Sequence, residues 1–228
     1  MLSYLNQDPS FKKIMENYLQ DFTIVKQYLP AGDEYIIPII AMCVQGMDDL
    51  LEEHVQKAVN QNVTEEKILE IIYQLEPIIG LPKVIRALTV IHRVIPELEI
   101  DVLNDNQESL MRESLYGREL TRFVQGLPSE VATFLSKQFE NHMFTDYYQR
   151  SHLSIKERER YLFTAMVVLN IDFQITVRAR GSLLAGNTAE DLMWSVVALL
   201  PYIGFPLVMN TVQQIHQVNE AWEMERKK

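Results

Sequence analysis

The chain has 228 residues, of which 47% are hydrophobic and 23% charged, and its net charge is -10 at pH 7. This composition excludes a disordered chain, and the length excludes a mini-protein that needs disulfides for stability. The acidic balance argues against a nucleic acid or an anionic membrane as partner. The single cysteine, Cys43, cannot form an internal disulfide, which fits a reducing compartment.

The first elements predict a cytoplasmic, helical protein. Residues 1–8 are polar, and Lys12, Lys13 and Glu16 follow before any apolar stretch, so no secretion signal is expected. Apolar residues then recur at helical spacing through most of the chain, and alternation typical of strands is nearly absent. We therefore expect an all-α fold, in which a helix at 11–27 leads into the rest.

An internal repeat organises the remainder of the chain. Residues 29–94 align without a gap on residues 153–218, at an offset of 124. The best-matched segments are Pro77-Ile-Ile-Gly-Leu-Pro82 and Pro201-Tyr-Ile-Gly-Phe-Pro206. Because equal helix patterns must bury equal apolar faces, we predict two tandem helical repeats related by a pseudo-twofold axis.

Helix starts within the copies have recognisable signals. Ser154 and Glu157 form a capping box before the first helix of the second copy. Asp48 and Asp172 are expected to cap the second helix of each copy, and Thr64 and Thr188 the third. The prolines of the repeated segment fit the first turn of the fourth helix, after Gly80 and Gly204.

These signals predict three parts of the chain. Residues 1–95 form the first repeat, the acidic segment 96–107 is a linker, and residues 108–228 form the second repeat, with helices at 110–125 and 128–148 leading into it. The uncharged run at 192–209 is long enough for a membrane span, but Pro201, Gly204 and Pro206 interrupt it, so two buried helices are expected.

Both copies resemble the carboxymuconolactone decarboxylase family, which includes the alkylhydroperoxidase D-like proteins. In the second copy the resemblance rests on Leu-Ser-Ile-Lys-Glu-Arg at 153–158, Leu-Leu-Ala-Gly-Asn-Thr-Ala-Glu at 183–190 and the Pro201–Pro206 segment. In the first copy it rests on His54-Val-Gln-Lys-Ala58, Asn62-Val-Thr-Glu-Glu66 and the Pro77–Pro82 segment. The resemblance implies alkylhydroperoxidase D-like helical repeats, oligomers of intertwined subunits, and neither a metal nor an organic cofactor.

The hydroperoxidase members reduce peroxide with a Cys-x-x-Cys pair, which this chain lacks. The resemblance places those positions at Met47 and Leu50 in one copy, and at Ile171 and Gln174 in the other. Cys43 lies on an apolar helix face, where a buried thiol behaves as a small hydrophobe. A thiol-dependent peroxidase is therefore disfavoured.

The polar relay of the family is divided between the copies. The resemblance matches its histidine to His54 and its glutamate to Glu159, whereas Arg178 and Tyr35 occupy the corresponding positions of the other copy. Helical spacing also places His54 and Glu159 on apolar faces, where an ionisable group is costly unless it is paired. We interpret these two as candidate catalytic residues, and Arg178, Tyr35 and Gln174 as candidate substrate-binding residues.

A purely structural interpretation explains the same residues. Glu159 and Arg178 would form a buried ion pair, and Tyr35 would hydrogen-bond His54. Arg158 and Arg160 are expected to form a solvated flank of the Glu159 helix. His92 and His216 occupy corresponding positions late in a helix of each copy, where the helix dipole favours an imidazolium, so neither is assigned to a site.

Three functions are consistent with these observations. The first is cofactor-free lyase chemistry on a small acidic lactone or related carboxylate, in which Arg178 binds the carboxylate and His54 or Glu159 delivers a proton. The second is an alkylhydroperoxidase-like antioxidant protein, disfavoured by the missing dithiol. The third is a catalytically inert oligomeric binding protein. The expected partners are a small anionic molecule and further copies of the chain, with no nucleic acid, membrane or metal.

Overall fold

The computed structural model describes residues 2–96 and 109–227 of the chain. Within these ranges the protein forms helices and no β-strand, which confirms the all-α prediction. No helix in these ranges is long and apolar enough to cross a membrane. The predicted linker at 96–107 lies outside the described residues, apart from Pro96.

The first half has the predicted helices with two differences: the third helix of the copy is divided into two, and the leading helix expected at 11–27 ends at Asp21. A short 3-10 helix (Leu2–Leu5) precedes α1, and a second one (Phe22–Tyr28) follows it. The α-helices are α1 (Pro9–Asp21), α2 (Asp33–Gln45), α3 (Asp48–Asn60), α4 (Glu65–Gln74), α5 (Glu76–Ile79) and α6 (Leu81–Ile91).

The second half begins with two leading helices and a π-helical segment. These are α7 (Ser109–Val124), α8 (Ser129–Gln138) and the π-helix Phe139–Tyr148. The sequence predicts one continuous helix over 128–148, because a helical pattern of apolar residues does not reveal a change from α to π geometry. The remaining helices are α9 (Ile155–Leu169), α10 (Asp172–Leu184), α11 (Ala189–Ala198), α12 (Leu200–Ile203) and α13 (Phe205–Arg226).

Most of the predicted helix caps are present. Ser154 forms the predicted capping box with Glu157, and Thr188 forms a further one with Asp191. The side chain of Thr64 accepts a hydrogen bond from the amide of Lys67. These contacts satisfy amide groups that a helix start otherwise leaves open.

The expected caps at Asp48 and Asp172 are wrong. Met47 and Ile171 occupy the N-cap positions, so that both aspartates already lie inside their helices and cap nothing. Asp48 instead accepts a hydrogen bond from Nε of Arg86 on α6, at 2.8 Å. Each aspartate still suits the first turn of its helix, where the backbone dipole favours negative charge.

Helix bounds in the two copies coincide at the offset of 124. α3, α4 and α5 begin and end at positions that correspond to those of α10, α11 and α12, and α2 ends where α9 does. α2 packs against α9, α4 of the first copy contacts α9, and α11 of the second copy contacts α2. This reciprocal packing supports the predicted repeat, while the pseudo-twofold axis and the domain division stay predictions.

Helix α9 is enclosed on every side, which overturns the expectation of a solvated arginine flank. Arg158 and Arg160 are 0% and 2% exposed. Nη2 of Arg158 lies 2.9 Å from Oε1 of Glu70 on α4, and Nε of Arg160 lies 2.8 Å from Oδ2 of Asp33 on α2. Both arginines therefore carry charge into the interface between the copies, where each has a carboxylate partner.

Glu70 is expected to be essential for this interface, because it pairs with both Arg158 and Arg150, at 2.9 and 2.7 Å. Replacing it by Gln removes the shared negative charge from buried guanidinium groups. We expect Glu70→Gln to lower the free energy of unfolding by about 3–5 kcal/mol in urea titrations. Glu223→Gln, at an exposed position of α13, is the matched control. A loss below about 1 kcal/mol for Glu70→Gln would contradict the assignment.

Candidate functional site

A cavity of about 610 Å³ lies between elements of both copies and the helices that lead into the second one. Side chains from α5, α7, α8, the π-helix, α9 and α10 line it. Most of the lining is apolar, which is typical of a small-molecule site. The polar exceptions are Glu76, Tyr116, Gln138, His142, Gln174 and Arg178.

One end of the cavity is a buried cluster around Arg178. Nη1 of Arg178 donates to the hydroxyl oxygens of Tyr116 and Tyr148, at 3.0 and 3.3 Å, and lies 3.4 Å from Oε1 of Glu159. Both tyrosine hydroxyls donate to the Glu159 carboxylate. Glu159 is 0% exposed, so Arg178 and Tyr116 separate it from the cavity that they line.

The electrostatics of this cluster keep the arginine charged. Burial alone would lower the pKa of Arg178, but the oxygens of Tyr116, Tyr148 and Glu159 outweigh it and raise that pKa. Burial also raises the pKa of both tyrosines well above the ordinary value. The tyrosines therefore remain neutral hydrogen-bond donors at physiological pH, and they hold the carboxylate in place.

A second nitrogen of Arg178 has a much weaker partner. Nη2 lies 3.3 Å from the thioether sulfur of Met143, which also lines the cavity. A thioether is a weak acceptor compared with the oxygens around Nη1. A carboxylate or carbonyl oxygen of a bound molecule would be a better partner for Nη2, and Gln174 offers an amide in the same cavity.

The other polar wall combines a histidine with two carboxylates. Nε2 of His142 lies 2.6 Å from Oε2 of Glu76, and Nδ1 lies 2.9 Å from Oδ2 of Asp146. Tyr147 donates to the same oxygen of Glu76, at 3.3 Å. The hydrogen bonds to Asp146 and Glu76 raise the pKa of His142, so they favour the imidazolium.

The structure brings together some of the candidate residues and separates others. Arg178 and Gln174 line the cavity, and Glu159 lies directly behind Arg178. His54 and Tyr35 are not among its lining residues. The expected ion pair of Glu159 with Arg178 is present, although the pair adjoins a cavity rather than a closed core.

His54 is buried in the first copy. Its Nε2 is buried without a hydrogen-bond partner among the described residues, so the expected bond from Tyr35 is not formed there. The ring instead meets that of Tyr202 edge-on, with centroids 5.7 Å apart. Burial lowers the pKa of His54 to about 4.

The first copy has a cavity at the corresponding place, without the charge cluster. Phe11, Met15, Met47 and Leu50 line it at the positions that Leu135, Phe139, Ile171 and Gln174 take in the larger site. Its charged lining residues are Asp49 and the ion pair of Asp48 with Arg86. The two copies therefore build similar cavities with different chemistry.

Sequence reasoning missed most partners of the cluster. Tyr116, Tyr148 and Met143 lie outside the repeat alignment, on α7 and the π-helix. The one indication of these partners in the sequence is the predicted burial of Glu159, because a buried carboxylate requires hydrogen-bond donors. Glu76 and His142 belong to different parts of the chain, and only the packing of α5 near the π-helix joins them.

Cys43 and the possibility of a metal site add little chemistry. Cys43 is buried, and burial raises the pKa of its thiol to about 12, which leaves almost no thiolate at neutral pH. In residues 2–96 and 109–227 no group of three or more histidine, cysteine, aspartate or glutamate side chains is arranged to hold a metal ion. The candidate site is therefore the cavity beside Arg178.

Gly181 on α10 makes room for Tyr116, because a Cβ atom at this position would overlap with the Tyr116 hydroxyl. We expect Gly181→Ala to lower the free energy of unfolding by about 1–3 kcal/mol by displacing the ring. In a Tyr116→Ala background the same change should stabilise α10 by about 1 kcal/mol, since alanine favours helix. Chemical denaturation of the four proteins tests this. A destabilisation of equal size in both backgrounds would contradict the close contact.

The lowered pKa of His54 predicts a pH-dependent stability. The neutral ring is favoured in the fold, so its contribution is complete above pH 6.5 and is lost as the pH falls toward 4. Between these values, His54→Phe should remove up to about 3 kcal/mol of the pH dependence of unfolding, measured by urea titrations. His216→Phe, at an exposed site on α13, is the control. An unchanged pH dependence in His54→Phe would contradict the burial of this ring.

The family comparison agrees with the sequence resemblance. Residues 9–93 match the model of the carboxymuconolactone decarboxylase family, a range that includes α1 and the first copy. No match was found among the curated proteins. The region comprising α1 to α6 is therefore similar to the carboxymuconolactone decarboxylase family.

Proposed function

We propose that the protein binds a small acidic lactone or related carboxylate in the cavity beside Arg178 and acts on it by cofactor-free, lyase-type chemistry. The observation that carries this proposal is the arginine itself: it is buried, held in its charged form, and has one nitrogen whose partner is a thioether. The family model that matches residues 9–93 supports this reaction type, since its description names carboxymuconolactone decarboxylase.

The apolar walls are suited to hold a ring while the polar end orients its acidic group. Nη2 of Arg178 and the amide of Gln174 are the groups available to a ligand oxygen. When carbon dioxide leaves such a substrate, negative charge develops on the remaining carbonyl oxygen, and a fixed guanidinium stabilises that charge. Glu159 then acts through Arg178 and Tyr116, as a positioning residue, rather than by contact with the substrate.

A second candidate function is a binding protein without turnover. It is favoured by the enclosure of Glu159 and by the position of His54 outside the cavity lining, since neither candidate proton donor then reaches a ligand. Under this alternative the cluster around Arg178 fixes a binding site and performs no proton transfer. Ligand binding is common to both functions, whereas turnover distinguishes them.

Self-association is a further part of the proposal. Leu81 and Ile85 on α6 are exposed, and so are Phe205 and Met209 at the corresponding positions of α13. Equivalent apolar positions that stay exposed in both copies support burial against further copies of the chain.

The cytoplasmic location also stays a prediction.

Carboxymuconolactone tests both candidate functions. We expect binding by isothermal titration calorimetry and release of carbon dioxide. Arg178→Lys should weaken binding about 10- to 100-fold, because the lysine keeps the charge of the cluster but loses the second donor nitrogen. Gln174→Leu, which introduces the residue found at the equivalent position of the first copy, should weaken binding less and leave the ion pair intact.

The matched control is Arg180→Lys, since Arg180 is a neighbouring arginine of α10 that pairs with Glu225 on α13. Binding without release of carbon dioxide would favour the non-catalytic candidate. Absence of both binding and turnover would contradict the proposed function. Melting temperatures of all variants show whether a loss comes from unfolding.

A further inference from the structure

The cavity wall that Glu76 and His142 form has no role in the function proposed above, yet it has the parts of a proton-transfer site. Glu76 lies on α5, and its side chain is 21% exposed. Its Oε2 accepts from His142 and Tyr147, at 2.6 and 3.3 Å. Within the described ranges Oε1 has no hydrogen-bond partner, and Glu76 lines the cavity.

This arrangement orients a carboxylate toward a ligand. His142 and Tyr147 fix one oxygen of Glu76, and Asp146 in turn accepts from the other ring nitrogen of His142, at 2.9 Å. A base that is held by neighbouring groups loses little entropy when it reacts. The imidazolium also supplies a proton that can replace one consumed at the carboxylate.

We propose that Glu76 is the general base and acid of the cavity, and that its substrates are carbon acids, which are carbonyl compounds with a removable proton on the carbon next to the carbonyl. This inference rests on the proposed function, because it assigns the proton-transfer residue and the substrate class of the same site. Glu76 contacts the substrate, and His142 is a positioning residue that acts through Glu76.

The step balances within the site. Oε1 of Glu76 takes the proton, the C–H bond breaks, and its electron pair forms the carbon–carbon double bond of an enolate. The negative charge passes to the carbonyl oxygen, where Nη2 of Arg178 stabilises it. In a decarboxylation the same enolate forms when carbon dioxide leaves, and the imidazolium of His142 supplies the proton that Glu76 passes to the carbon.

The groups that face His142 determine how the pair responds to pH. They are Glu76 on α5 and Asp146 and Tyr147 on the π-helix. Both carboxylates favour the imidazolium and so raise the pKa of His142.

Proton exchange on phenylpyruvate in D2O, followed by proton NMR, tests the assignment. This probe combines an apolar ring with a carboxylate and exchangeable protons next to its keto group. The protein should accelerate exchange over the protein-free rate, and Glu76→Gln should reduce the acceleration at least 100-fold, with little change in binding. His142→Gln should reduce it less and remove an inflection from the pH profile.

The matched control is the exposed His216–Glu220 pair on α13, whose closest atoms are 3.6 Å apart. His216→Gln and Glu220→Gln should leave the exchange rate unchanged. Binding of phenylpyruvate without acceleration, or full acceleration in Glu76→Gln, overturns the assignment of Glu76 and leaves the proposed binding site standing. Absence of binding by calorimetry contradicts the proposed function and this inference together.

A titration of the imidazole by NMR tests the pair without any ligand. His142 should titrate above the ordinary value of 6.5 in the intact protein, because its carboxylate neighbours raise its pKa. Glu76→Gln should lower that pKa, whereas Glu220→Gln should not. A His142 pKa that is the same with and without the Glu76 carboxylate would show that the pair does not form.

Discussion

Three consecutive charges on one buried helix determine how this protein is assembled. Arg158, Glu159 and Arg160 follow one another on α9, and the helix geometry directs each toward a different neighbour. Arg158 pairs with α4 and Arg160 with α2, so both connect α9 to the first copy, whereas Glu159 faces α10, α7 and the π-helix. An unpaired charge in such a place would be prohibitively costly, and the surrounding elements must therefore dock together. The candidate site lies beside one of these three pairings.

The chemistry of the site depends on which of its charged groups are enclosed and which reach the cavity. The carboxylate of Glu159 is saturated by two hydroxyls and a guanidinium, while Arg178 extends past it to the cavity wall. The cluster is thus rigid and electrically balanced, which suits a fixed anchor for a ligand oxygen. Glu76 and His142, which line the same cavity, are partly exposed to solvent and form the proposed proton-transfer pair. One wall is suited to binding and the other to proton transfer.

Much of the fold was accessible from the sequence, because its causes are local. Apolar periodicity located the helices, and Ser154, Thr64 and Thr188 marked helix starts through short-range caps. The caps expected at Asp48 and Asp172 failed by one position, since an aspartate also favours the first helical turn. The site was less accessible. Arg178, Glu159 and Gln174 were identified from the repeat and the resemblance, but the two tyrosines that bind Glu159 come from outside the repeat.

The solvated flank expected at Arg158 and Arg160 shows the same limit. Charge on a helix normally indicates a surface, and only the carboxylates on α2 and α4 make burial of these arginines possible. His54 fails for a related reason. Its spacing among apolar neighbours correctly indicated burial. Its ring contact, however, is with Tyr202 of the other copy, which the spacing does not reveal. Contacts between distant segments cannot be derived from periodicity along one of them.

The two similar cavities have a consequence for how such a protein can change. In an assembly of identical subunits every substitution appears at all equivalent positions, so a residue that improves one pocket alters the other as well. Here both pockets are encoded separately in one chain. Leu50 and Gln174 occupy equivalent positions, as do His54 and Arg178, and each pair has diverged in polarity or charge. A single chain with two copies can therefore keep one pocket for structure or for a different ligand while the other specialises.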